Sequence, residues 1–82
     1  MPSEADLVTR ALRRVRPSVY RLGGTPDRPT LLLAVATSAG GRRNAADRVV
    51  AALADGGFAL DAGDPVGELA DGTELPVRRA RA

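Results

Sequence analysis

Between Pro29 and Leu60 the chain carries an apolar, β-forming run (Thr30 to Ala36), a glycine-bearing segment (Thr37 to Gly41), a helical pattern closing at Gly56 and Gly57, and a second short β-forming run, Phe58 to Leu60. Strand, helix, strand in that order within one sheet implies a crossover with the helix laid on one face, and such crossovers are nearly always right-handed. The remaining segments have to pack against this unit, because 82 residues supply material for one core and not two. That core is thin. A domain of this size buries only about 60% of the surface its unfolded chain exposes, so self-association or a partner chain would add noticeably to its stability.

Composition removes much of the usual chemistry. The chain has no cysteine, hence no disulfide, thiolate metal site or thiol nucleophile, and no histidine, the usual general base near neutral pH and the commonest nitrogen ligand for a transition metal. It has no lysine for a Schiff base, and Thr37 and Ser38 have no local base to activate them. A non-catalytic protein with no cofactor and no metal is the expectation. All twelve basic residues are arginine, isoleucine is missing as well as lysine, and alanine abounds, a bias expected of a GC-rich genome. Arginine is the better phosphate ligand, but here its exclusive use is partly a codon effect and is no evidence of phosphate recognition. No apolar run approaches the roughly 20 residues needed to span a bilayer, and no charged start followed by an apolar stretch resembles an export signal. A soluble cytoplasmic protein follows, with no membrane partner.

The formal net charge of +2 conceals an asymmetry: residues 1–43 hold eight arginines against three acids, a net of +5, and residues 44–82 hold four against seven, a net of −3. Polarity along the sequence becomes polarity in space only if the fold keeps the halves apart.

Ser3 to Arg16 reads as a first helix, with Ser3 as N-cap, Glu4 and Asp6 in the first turn where the helix dipole favours them, and Pro17 forbidding continuation. Leu7, Val8, Ala11, Leu12 and Val15 share one face. Arg10, Arg13, Arg14 and Arg16 lie on the other, either an ordinary solvated surface or a docking surface for nucleic acid or an acidic protein. Val19 to Leu22 reads as a short strand, and Gly23 to Pro29, dense in turn residues, as the loop of a hairpin. Tyr20, the single tyrosine, suits a position at the core margin with its hydroxyl wet.

Leu31 to Ala36 lacks strict alternation, which points to a strand covered on both sides or by a neighbouring chain. The loop Thr37 to Asn44 follows it. A glycine-rich turn between strand and helix is where backbone amides cradle phosphate, so Gly40, Gly41, Arg42 and Arg43 form a candidate anion site, without the lysine of a Walker A loop or the glycine spacing of a dinucleotide fingerprint. The second helix, Arg42 to Asp55, carries Ala46, Val49, Val50 and Leu53 as one stripe, with Gly56 in the left-handed C′ position and Asp47 placed to pair with Arg43 or Arg48. Asp64 and Pro65 have the form of an N-cap and N1 for a short helical turn to Ala70, stopped by Gly72. Thr73 to Arg78 reads as a last strand, which Pro76 assigns to a sheet edge. A frayed basic tail with Arg79 and Arg81 completes a single domain, residues 1–82. The six acids between Arg48 and Arg78 lack the spacing of a calcium loop and read as a solvated acidic edge.

The order helix, strand, strand, helix, strand, strand predicts an α+β, two-layer α/β sandwich with two helices on one face of a four-stranded antiparallel or mixed sheet, in effect a ferredoxin-like arrangement whose first strand has moved to the C-terminal end. Such a fold hosts many functions. With Tyr20 and Phe58 as its aromatics, the sheet is not expected to stack on RNA bases. The leading functional expectation is a protein-protein interaction or assembly module, a homodimer or an accessory subunit. Nucleic-acid binding through Arg10, Arg13, Arg14 and Arg16 comes second, and anion sensing at Gly40 to Arg43 third.

Overall fold

In the computed structural model, which describes residues 1–35 and 37–80, Ser3 caps the first helix, α1 (Glu4–Ala11). Its hydroxyl accepts the Asp6 N–H at 3.2 Å while the Asp6 carboxylate accepts the Ser3 N–H at 3.3 Å, the reciprocal pairing of a capping box. The helix stops at Ala11 instead of Arg16. Pro17 holds Arg16 extended (φ −61°, ψ 134°), and the chain unwinds a turn earlier through Arg13 N–H to Arg10 C=O (3.3 Å) and Val15 N–H to Leu12 C=O (2.9 Å), with Leu12 fully buried. A 3₁₀ turn, Pro17–Val19, leads into β1 (Tyr20–Gly24).

β1 and β2 (Pro29–Leu33) form the expected hairpin, in register from Tyr20 opposite Leu33 to Gly24 opposite Pro29. Its loop is shorter than expected, since Gly23, Gly24 and Pro29 belong to the strands and Thr25 and Arg28 close the turn through two backbone bonds (3.2 and 3.1 Å). Gly24 takes φ 74°, with the Arg28 carbonyl where a Cβ would sit. β2 ends at Leu33 and alternates: Leu31 and Leu33 are buried, Thr30 and Leu32 half-buried. Within the chain the core therefore lies on one of its faces and not on both, which leaves the alternative of cover by a neighbouring chain, and Ala36, at its expected end, lies outside the described residues.

α2 (Ala39–Asp55) begins three residues before the expected start, so Gly40 and Gly41 are helical and not loop. The Ser38 hydroxyl accepts the Gly41 N–H at 3.2 Å, a cap that offsets glycine's helix penalty of about 1 kcal/mol. Ala46, Val49 and Leu53 are buried as the stripe required. The left-handed residue is Gly57 (φ 86°) and not Gly56 (φ −87°). Gly56 is needed for another reason: a Cβ there would run into the Ala11 side chain, so α1 and α2 touch at this pair.

β3 (Phe58–Leu60) is followed by α3 (Pro65–Ala70), a third helix with Asp64 as its cap (Gly67 N–H to Asp64 Oδ1, 3.2 Å), packed along α2. β4 (Leu75–Arg79) completes a four-stranded antiparallel sheet of order β1-β2-β4-β3. β2 and β3 thus run parallel with β4 between them, and the α2 crossover spans an inserted strand. Pro76 lies in this inner strand and not on an edge. The fold tolerates it because β3 pairing stops at Leu60 opposite Val77, and beyond that Pro76 needs only its carbonyl, which accepts the Asp61 N–H at 2.9 Å. Arg79 is not frayed but pairs with Phe58 in the ladder, and Arg81 lies outside the described residues. The core consists of Val8, Leu12, Leu31, Leu33, Ala46, Val49, Leu53, Phe58, Leu60, Leu69 and Leu75, and among the described residues no polar or charged residue is buried.

Candidate functional site

The contact of Ala11 with Gly56 brings the C-terminal ends of α1 and α2 together, and the descending turn after α1 then leaves an open groove of about 850 Å³ beside α2. Leu7, Ala11, Val15, Val19, Ala45, Ala52 and Phe58 line it with apolar surface, all but Phe58 half-buried. Arg10, Arg13, Arg14 and Arg16, all four of the residues singled out on the first segment, line it too and are exposed. The first sits in the last turn of α1 and the others on the turn that follows, so the shortened helix fans them along the groove.

Two arginines that sequence reasoning did not connect to this set complete the rim: Arg48 from α2 and Arg79 from β4. Arg48 was within reach of a pattern, since Ala45, Arg48, Ala52 and Asp55 form a second helical stripe beside the buried one. Arg79 was not, because its place follows from the strand order. It is held by the Glu4 carboxylate at 2.9 Å and lies 5.5 Å above the Phe58 ring. Among the described residues this is the single ion pair, so the expected pairing of Asp47 with Arg43 or Arg48 does not form and five of the six rim arginines carry no carboxylate partner. Asp55 is the one acid in the lining.

Gly40, Gly41, Arg42 and Arg43 are placed otherwise. Gly40, Arg42 and Arg43 border a shallow depression at the start of α2 together with Asp64, Glu68 and Asp71, and Gly41 is not part of its lining. The Gly41 amide already donates to Ser38. Arg42 Nε donates to the Ala70 carbonyl and its Nη1 to the Val35 carbonyl, both at 2.7 Å, clamping α2 to α3 and to the segment after β2. An incoming anion would meet Arg43 beside three carboxylates, a poor electrostatic match.

No group of three or more His, Cys, Asp or Glu able to hold a metal ion occurs among the described residues, and no helix among them is long and apolar enough to cross a membrane. Comparison with protein-family models, with curated proteins and with solved structures gave no match.

Proposed function

We propose that this protein is a non-catalytic interaction module that engages another protein chain through the groove between α1 and α2. The observation that carries the reading is the convergence of six arginines and one carboxylate around an apolar floor. Apolar surface that stays accessible beside fixed charge suits a partner that brings both kinds of group, and aromatic and arginine residues are those that anchor protein interfaces. Capture from a lysate of the host with immobilised protein tests it, comparing wild type with Arg13→Glu and Arg48→Glu. A protein retained by the first and lost from both variants supports the reading; retention indifferent to either substitution contradicts it.

Self-association would use a different surface. β1 pairs along one side with β2 and leaves its other side as a sheet edge, and Leu32 and Ala59 stand half-buried on the face opposite the core, where a second copy would cover them. Light scattering at about twice the 8.5 kDa chain mass is the expected result; the single-chain mass at all concentrations removes this part.

The same cations favour nucleic acid as a second reading. Its signature is salt dependence, because each phosphate contact releases counterions and affinity then falls steeply between low and moderate salt.

The fold itself supports a finer description. Order β1-β2-β4-β3, with all neighbours antiparallel and α2 crossing over the inserted β4, is what a two-layer ferredoxin-like sandwich shows when its first strand follows its last. The ion pair of Arg79 with Glu4 then lies where the unpermuted chain would run from that strand into α1.

A further inference from the structure

We infer that the occupant of the groove is an acidic amphipathic helix of a different protein; this rests on the reading of the groove as an interaction site. The α2 wall runs from Ala45 to Gly56, about 16 Å or three helical turns at 1.5 Å per residue. Its outward stripe places alanine at positions 45 and 52, small enough for a third helix to approach at the 8–10 Å or so of close helix packing. Across the groove Leu7, Ala11 and Val15 supply the facing apolar surface. A helix with one apolar stripe seats that stripe between these walls, and carboxylates on its flanks reach Arg13 and Arg14 on one side and Arg48 on the other.

The competing occupants match fewer of these features. A phosphate backbone answers the arginines but brings nothing to cover the apolar floor. A second copy offers acids at Asp61, Asp64, Glu68 and Asp71, but on turns and on α3, whose own Leu69 is buried in its core. Among the described residues there is therefore no acidic helix with a free apolar stripe for the chain to offer itself.

Fluorescence anisotropy with the full chain tests the inference. The probes are a labelled peptide of about 15 residues with leucines at i, i+3, i+4, i+7 and glutamates on both flanks, a scrambled peptide of the same composition, and a short DNA duplex. The patterned peptide is expected to bind at least about tenfold more tightly than the scramble, a difference of roughly 1.4 kcal/mol. Arg48→Glu should weaken it by about the same factor, as should Ala52→Trp, which fills the groove; Arg48 is exposed, so that variant reports even if the tryptophan variant does not fold. Equal binding of both peptides, lost in Arg48→Glu, overturns the helix while keeping the groove as an interaction site. Tighter binding of the duplex, lost in Arg48→Glu, assigns the groove to nucleic acid and overturns both. Peptide binding untouched by Arg48→Glu, or no binding by any probe, also overturns both.

Discussion

Arg42 shows how a charged residue on a phosphate-like sequence motif becomes structural. Its guanidinium, half-buried, donates to the carbonyls of Val35 and Ala70, and hydrogen bonds from a charged donor contribute about 1.5–3 kcal/mol where the acceptor loses its partner. Arg42→Met should lower stability by that amount in urea denaturation, and Arg43→Met, at an exposed neighbour, by no more than about 0.5 kcal/mol. Equal effects would mean that the clamp is not formed. Gly56 provides a second residue-scale test. Gly56→Ala forces a methyl into Ala11, a small overpacking worth about 1–3 kcal/mol, and the added substitution Ala11→Gly should recover much of the loss because the two sites share one contact. Strict additivity would contradict the close approach of α1 and α2.

Elements were legible where their causes are local. The Ser3 and Asp64 caps, the α2 stripe of Ala46, Val49 and Leu53, and the β1-β2 hairpin each follow from residues within a few positions of one another; the Ser38 cap was missed because the glycines after it read as loop. What escaped depends on partners far along the chain. Pro76 reads as an edge residue because proline cannot donate, but its tolerance in β4 is set by where β3 stops pairing, which no local pattern encodes. Arg79 reads as tail for the same reason, since only the placement of β4 beside β3 brings it to Phe58 and Glu4. The first helix was overextended because its apolar face continues to Val15, whereas Pro17 acts back through Arg16. Within the site, the four arginines of the first segment were legible as a set; that Arg48 and Arg79 join them is a tertiary fact. Pro76→Thr restores an N–H that faces Asp61, just past the end of β3, and should change the stability measured in urea by less than about 0.5 kcal/mol. A gain well above that would show a ladder bond waiting for a donor.

Across the whole molecule charge is distributed unevenly, though not as the sequence halves would divide it. Arg48 and Arg79 of the acidic half join the arginine-rimmed groove along the C-terminal half of α2, while Arg42 and Arg43 of the basic half lie beside Asp64, Glu68 and Asp71 at its first turn, so a charged partner still meets one preferred face. Because Arg13 and Arg48 are exposed, Arg13→Glu with Arg48→Glu should leave thermal stability within about 0.5 kcal/mol of wild type, which a melting curve checks. The central claim, that the groove is the working surface, is tested most directly by mapping amide chemical shifts in two-dimensional NMR as an acidic amphipathic peptide is added. The account predicts changes concentrated in residues 7–19 and 45–58, with the amides of 39–43 and of α3 unmoved. Changes centred on Gly40 to Arg43, or spread evenly over the surface, would contradict it.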